Sequence, residues 1–125
     1  MTNNHKILLI EDDQFISQAY QDGLKRAGFE VKAVADGSAV SATIDGFNPD
    51  LILLDLIMPG KDGFEVLDEL SKHPDYRKIP IIVLSNLGQE SDINKAHDLG
   101  AKDYLVKSGN SMKEVINKII QQLNS

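Results

Sequence analysis

Four large apolar residues in succession, Leu51–Leu54, run directly into the carboxylate of Asp55. Apolar residues continue after it, at Leu56 and Ile57. This pattern predicts that Asp55 lies at the edge of a core and not on a solvated helix face. A carboxylate near the interior is costly unless it is paired, hydrogen-bonded or bound to a metal. The rest of the chain must therefore supply a partner for Asp55.

Short apolar runs recur along the chain, and each one predicts a β-strand. Most are rich in branched apolar residues without alternation, as expected for strands buried on both faces of a parallel sheet. The second run alternates instead. The five predicted strands cover Lys6–Ile10, residues 29–35, Leu51–Leu54, residues 79–84 and Asp103–Val106.

The segments between these runs carry apolar residues at helical spacing. They predict five helices, over residues 14–27, 38–47, 64–70, 89–99 and 111–123. We expect Ser38 and Ser111 to cap the second and the fifth helix. The spacing places Phe15 on the apolar face of the first helix and Ile120 on that of the last.

Five strands that alternate with five helices predict an α/β fold with a parallel sheet covered on both faces. A common solution is the doubly wound, flavodoxin-like (βα)5 arrangement with strand order 2-1-3-4-5. It places the first and third strands side by side at the switch point, where ligands bind beyond the carboxyl ends. We see no internal repeat or linker, so residues 1–125 are expected to form one domain.

The composition excludes several classes of function. The chain has 13 basic and 19 acidic residues, a net charge of −6, with no basic stripe for nucleic acid. Its apolar runs are too short for a membrane span or a signal peptide. It has no cysteine, which excludes disulfides and thiolate sites. We expect a cytoplasmic protein.

Polar residues follow four of the predicted strands, at the same edge of the sheet. They are Glu11, Asp12 and Asp13 after the first strand, Asp55 after the third, Ser85 after the fourth and Lys107 after the fifth. Carboxylates that meet at one edge repel unless a hard cation such as Mg²⁺ lies between them. A carboxylate beside such an ion can attack phosphorus. The ion, an ammonium group and a hydroxyl can then neutralise the oxygens of the transferred group.

The whole chain resembles the receiver domains of two-component response regulators, of the stand-alone, single-domain type. The matching residues are Glu11, Asp12, Asp55, Met58, Pro59, Gly60, Asp62, Gly63, Ser85, Tyr104 and Lys107. The resemblance implies that Asp55 accepts a phosphoryl group from a phosphohistidine on a histidine kinase or a histidine phosphotransfer protein. Such a domain assists its own phosphotransfer and dephosphorylation but is not an enzyme.

The resemblance also implies a metal site. Asp12 and Asp55 would ligate Mg²⁺, or Mn²⁺ in its place, together with the main-chain carbonyl of Ile57. Glu11 would act mostly through water.

By the same resemblance, Ser85 and Lys107 would hold the phosphoryl oxygens. Tyr104 would be the switch aromatic, which rotates inward when Ser85 is drawn toward the phosphate. The surface of the fourth helix, fifth strand and fifth helix would then present the state of the domain to a protein target that the sequence does not identify.

Two residues depart from the family pattern. Asn86 follows the hydroxyl position, where receivers often have a small residue, and this leaves the rate of dephosphorylation open. Ser108 follows Lys107, where most relatives have a proline and a cis bond. A cis bond before a residue other than proline costs roughly 3–4 kcal/mol, so this loop could be trans instead.

Three alternatives stay open from the residues. A receiver-shaped interaction module that is never phosphorylated in cells is compatible with Asn86 and Ser108. A flavodoxin-like cofactor binder needs a glycine- or hydroxyl-rich loop after the first strand, where this chain is acidic. An aspartate-nucleophile phosphatase needs a second aspartate two residues after the nucleophile, and Ile57 occupies that position.

Overall fold

The computed structural model describes residues 5–58 and 62–124, so Pro59 and Gly60, two of the residues that match the family pattern, lie outside the described residues. Strands and helices alternate in the predicted order. They are β1 (Lys6–Ile10), α1 (Gln14–Arg26), β2 (Glu30–Val34), α2 (Val40–Phe47), β3 (Leu51–Leu54), α3 (Gly63–Lys72), β4 (Ile81–Ser85), α4 (Glu90–Asp98), β5 (Asp103–Val106) and α5 (Met112–Leu123). Two short 3-10 turns, Gly37–Ala39 and Lys107–Gly109, precede α2 and α5.

All strand pairings in the sheet are parallel, in the order β2-β1-β3-β4-β5. This confirms the predicted doubly wound fold. At the carboxyl end of β1, Ile10 is level with Val34 of β2 and with Leu54 of β3. The residues that follow β1 and β3 therefore emerge next to each other at the centre of the sheet edge.

Both faces of the sheet are covered, which explains why β3 is apolar throughout and fully buried. Because successive side chains of a strand point to opposite faces, the strands feed two separate cores. The core on the α2, α3 and α4 side contains Leu8, Ile10, Ile52, Leu54 and Val83 with Val40, Val66, Leu67 and Ala96. The core on the α1 and α5 side contains Ile7, Leu9, Leu51, Leu53 and Ile82 with Leu24, Val115 and Ile119.

Two predicted inward-facing residues are exposed. The side chain of Phe15 is 89% exposed, because Ser17 and Leu24 take the inward face of α1 and Phe15 lies on the opposite side of the helix. Ile120 is 40% exposed, because Val115 and Ile119 take the inward face of α5 and Ile120 lies about 100° further round the helix.

The predicted cap of the second helix is wrong, whereas that of the fifth is confirmed. Asp36 accepts a hydrogen bond from the Ser38 amide at 2.9 Å and opens the 3-10 turn instead. At the fifth helix, Ser111 and Glu114 form a reciprocal capping box. Within residues 5–58 and 62–124, no helix has the length and apolar character needed to cross a membrane.

Candidate functional site

Asp55 leaves β3 at the centre of the sheet edge and is only 7% exposed. Its amide donates to the carbonyl of Ile10 at 3.0 Å, which continues the ladder between β1 and β3. Its Oδ1 accepts a hydrogen bond from the amide of Ile57 at 3.2 Å. Its Oδ2 lies 3.2 Å from Nζ of Lys107. The cost of placing this carboxylate at the end of an apolar strand is therefore offset by one amide and one ammonium.

Glu11, the first residue after β1, is more deeply buried than Asp55, at 3% exposure. Its amide donates to Val34 at 3.0 Å, so the end of β1 holds it in place. Its carboxylate accepts hydrogen bonds from Lys107 and, at 3.3 Å, from the amide of Asp13. Burial raises the pKa of Glu11 to about 7, although the hydrogen bond with Lys107 acts to lower it. Without a metal, Glu11 therefore binds a proton more readily than an exposed glutamate does.

Lys107 reaches the site from the carboxyl end of β5 and interacts with both acidic groups. Its side chain is 10% exposed and is hydrogen-bonded to Glu11 and Asp55. Burial lowers the pKa of Lys107, but the hydrogen bond with Glu11 and the charge of Asp55 outweigh burial and raise it overall. No peptide bond between described residues is cis, so the bond from Lys107 to Ser108 is trans. The lysine therefore reaches the carboxylates through a trans 3-10 turn.

The side chains of Glu11, Asp12 and Asp55 offer carboxylate oxygens that all lie within 4.8 Å of one another. Oxygens bound to one Mg²⁺ at about 2.1 Å are at most about 4.2 Å apart. The three groups are therefore near the spacing that this ion requires. Asp12 is partly exposed, and it forms the solvent side of the cluster. Asp13 is not in the cluster, because its Oδ1 caps α1 by accepting from the amides of Phe15 and Ile16.

Ser85 and Tyr104 lie in the neighbouring strands β4 and β5, and both contact Leu87. Ser85 is fully buried, and its Oγ accepts from the amide of Leu87 at 3.2 Å. The hydroxyl of Tyr104 donates to the carbonyl of Leu87. Burial raises the pKa of Tyr104, and a hydrogen bond with Ser85 acts in the opposite direction. The two predicted switch residues are therefore joined through the connection between β4 and α4.

Sequence reasoning missed two features of this edge. The first is the hydrogen bond between Lys107 and Glu11, because no pattern shows which carboxylate a lysine will approach. The second is Tyr20, which shares a cavity of about 460 Å³ with Lys107, Asn86 and Ser108. Burial raises the pKa of Tyr20, and the charges of Lys107 and the nearby carboxylates also act on it. Its helical spacing gave no signal that separates it from an ordinary core residue.

A family model described as the response regulator receiver domain matches residues 7–120. Among curated relatives, the chain is 40% identical over 102 residues to the DNA-binding dual master transcriptional regulator RpaA of Synechocystis sp.. That alignment covers 82% of this chain and 42% of RpaA. The chain thus spans less than half the length of this relative.

Two further relatives are nearer to this chain in length. The response regulator Rcp1 of Synechocystis sp. is 37% identical over 128 residues, covering 95% of this chain and 86% of Rcp1. The solved Mn²⁺-bound form of Rcp1 aligns with a TM-score of 0.77 at 35% identity, covering 97% of this chain and 92% of that one. The phosphorylated cyanobacterial phytochrome response regulator RcpA aligns with the same TM-score and identity, covering 97% of this chain and 89% of that one. With its fold and the family match over residues 7–120, this chain belongs to the response regulator receiver domain family.

Proposed function

We propose that this chain is a phospho-accepting signalling switch in which Asp55 receives the phosphoryl group. One observation carries the proposal: Asp55 is a nearly buried carboxylate that shares the switch point of the sheet with Glu11, Asp12 and Lys107. A carboxylate beside an ammonium group is suited to act as a nucleophile. The solved relative RcpA is described as phosphorylated, and this supports the same role here.

In the proposed reaction a carboxylate oxygen of Asp55 forms a bond to phosphorus while the bond from phosphorus to the donor's imidazole nitrogen breaks. The imidazole leaves with the electron pair and takes up a proton, and Asp55 becomes an acyl phosphate. Lys107 already lies 3.2 Å from Oδ2 of Asp55, so it is placed to neutralise a phosphoryl oxygen. Ser85 would supply a hydroxyl donor from the adjacent strand. The domain would thus assist its own phosphotransfer and dephosphorylation without turning over a separate substrate.

The carboxylate cluster fits Mg²⁺, and Mn²⁺ would substitute for it. Asp12 and Asp55 would bind the ion directly with the carbonyl of Ile57, and Glu11 would act through water. The bound ion would neutralise negative charge between the carboxylates and the phosphoryl group. The spacing of the three carboxylates supports this assignment, as does the Mn²⁺-bound form of the relative Rcp1.

Tyr104 would report the state of the site. Its hydroxyl contacts Leu87 and lies near Ser85, so a shift of Ser85 toward a phosphoryl group would change the surroundings of the ring. The surface of α4, β5 and α5 would carry this change to a downstream protein. With a net charge of −6, the domain is not expected to bind nucleic acid itself.

The donor would be a histidine kinase or a histidine phosphotransfer protein, and we expect the exchange to take place in the cytoplasm. Its phosphohistidine must approach the sheet edge where Asp55 lies. Two large apolar side chains are exposed at that edge, Phe15 at 89% and Ile57 at 56%. Both would be covered by a protein donor, whereas a small phosphodonor would leave them exposed.

Intact-mass measurement after incubation with acetyl phosphate and Mg²⁺ tests the acceptor. One added phosphate is expected on the parent chain and none on Asp55→Asn. Asp50→Asn is the matched control, since Asp50 precedes β3 at the opposite edge of the sheet, where it accepts a hydrogen bond from the Lys6 amide. An unmodified parent chain, or an unchanged adduct on Asp55→Asn, would contradict the proposal.

The same experiment separates a second candidate, a receiver-shaped interaction module that is not phosphorylated in cells. One observation favours this candidate: Lys107 already forms ion pairs with Glu11 and Asp55 without a phosphoryl group. A parent chain that resists acetyl phosphate in the presence of Mg²⁺ would support this candidate.

A further inference from the structure

Lys95, on the exposed side of α4, extends over the aromatic ring of Phe64 at the start of α3. Its Nζ lies 4.2 Å from the ring centroid, well within the distance of about 6 Å at which a cation is attracted to a ring face. Phe64 is packed against the core between the sheet and the helices α2 to α4. The ring is therefore held in place by packing, whereas the ammonium lies at the surface and depends on the position of α4.

The two partners of this contact line a cleft of about 460 Å³ beside the proposed acceptor. Its walls come from Leu56, Ile57, Met58, Asp62, Phe64, Leu87 and Lys95. Leu56 and Ile57 directly follow Asp55, and Leu87 comes two residues after Ser85. The contact between Lys95 and Phe64 thus joins the helices that follow the acceptor and the hydroxyl donor.

Leu87 connects this cleft to the switch residues. Its amide donates to Ser85, its carbonyl accepts from Tyr104, and its side chain packs against the same core as Phe64. The helix α4 begins at Glu90, three residues later. A movement of Ser85 toward a phosphoryl group on Asp55, as proposed above, would change the hydrogen bond with the Leu87 amide and so act on the start of α4. Any shift of α4 away from α3 would separate Lys95 from the ring.

We propose that the contact between Lys95 and Phe64 is a latch that holds α4 in its resting position and so opposes phosphorylation of the domain. The latch rests on the proposed acceptor function and adds a regulatory role for a pair outside the acceptor site. A contact present in only one of two states shifts their equilibrium by its own free energy. Removing the latch should therefore favour the phosphorylated arrangement.

The latch can be tested with Lys95→Met, which keeps the aliphatic stem and removes the charge. The measurement is the concentration of beryllofluoride, with Mg²⁺, that half-saturates the domain, followed by ¹⁹F NMR. We expect this half-saturating concentration to fall about two- to five-fold, which corresponds to the free energy of one exposed cation–π contact. Lys113→Met, an exposed lysine on α5 with the same change in net charge, should leave it unchanged.

Phe64→Leu completes a double-mutant cycle, because leucine keeps the apolar packing and removes the ring. In the Phe64→Leu background, Lys95→Met should have no further effect. An unchanged half-saturation in Lys95→Met, or a full effect in the Phe64→Leu background, would overturn the latch. A parent chain that takes up neither beryllofluoride nor phosphate would instead overturn the acceptor function, and the latch with it.

Discussion

The Lys107 ammonium is hydrogen-bonded to the carboxylate of Glu11, a residue 96 positions away in the sequence. The same ammonium lies 3.2 Å from Asp55. Without a metal, one lysine thus serves as the counter-ion of two buried carboxylates. A divalent cation attracted to the same carboxylates would have to compete with it.

Lys107→Met should therefore change both the stability of the metal-free domain and its affinity for Mg²⁺. Without metal the variant should lose up to about 3 kcal/mol of stability, because its two carboxylates lose their buried partner. Its affinity for Mg²⁺ should rise, because a positive charge next to the ion is removed. Melting curves with EDTA and with increasing Mg²⁺ should show a lower starting melting temperature and a larger rise than in the parent.

Lys118→Met is the control for this comparison, since Lys118 pairs with Asp103 at 3.5 Å on a more exposed surface. The rise in melting temperature with Mg²⁺ should be the same in Lys118→Met as in the parent. Equal Mg²⁺-induced shifts in Lys107→Met and the parent would show that the ammonium does not compete with the ion.

The raised pKa of Glu11 makes the stability of the metal-free domain depend on pH. The folded carboxyl titrates at about 7 and the unfolded one at 4.5, so between these values the folded state binds more protons. The free energy of unfolding should then fall as pH rises from 4.5 to 7, by up to about 3 kcal/mol from this group. Melting temperatures with EDTA across this range should show the decline.

Glu11→Gln isolates this contribution from that of the other titratable groups. The variant should be less sensitive to pH between 4.5 and 7 than the parent, and the difference between the curves should grow toward pH 7. Parallel curves for the two proteins would show that Glu11 is ionised at the same pH in the folded and unfolded chain.

The strands and helices, and the edge of the sheet at which the site lies, could be predicted because they follow from the local pattern of apolar and polar residues. The run Asp103–Val106 was predicted with the bounds of β5. The alternation of strands and helices predicts the parallel sheet, whereas the order of its strands was expected only as a common solution for such folds. The error at Ser38 had a local cause, since an aspartate two residues earlier took the capping role. Phe15 was placed on the wrong side of α1, because the small residue Ser17, and not Phe15, shares the buried face with Leu24.

The sequence predicts which residues form the site better than it predicts which of them pair with each other. The sequence predicts that Glu11, Asp55 and Lys107 meet at one edge, because each follows a strand. It does not predict that the lysine binds Glu11 as well as Asp55, because that choice depends on side-chain conformations set by packing. The capping role of Asp13 fits its position, since α1 begins directly after it.

Asp13 provides a test of that cap, independent of the metal. Its Oδ1 accepts from the amides of Phe15 and Ile16, at 2.9 and 3.0 Å. Asp13→Ala should cost about 1 kcal/mol of stability in EDTA, whereas Asp13→Asn should keep the cap. Chemical denaturation of the three proteins measures this. A loss in Asp13→Asn as large as in Asp13→Ala would show that charge, and not the hydrogen bonds, stabilises the helix start.

Gly63, the first residue of α3, is packed against the segment that carries the proposed acceptor. Its amide donates to the carbonyl of Leu56 at 3.1 Å. A β-carbon at this position would lie 2.4 Å from Cα of Leu56 and 2.7 Å from the carbonyl oxygen of Asp55. These are backbone atoms that cannot rotate away, so a larger residue must displace the acceptor segment itself.

Gly63→Ala should therefore destabilise the domain by about 1–3 kcal/mol, the usual cost of overpacking, and slow its modification by acetyl phosphate. Gly46→Ala is the matched control, because a β-carbon there meets no atom of the described chain within 4 Å. Since Gly46 lies in α2, Gly46→Ala should instead raise the free energy of unfolding by about 0.5 kcal/mol. Denaturation curves and intact-mass time courses give both readouts. If Gly63→Ala loses stability yet accepts phosphate at the parent rate, the two segments are packed together without α3 determining the position of Asp55.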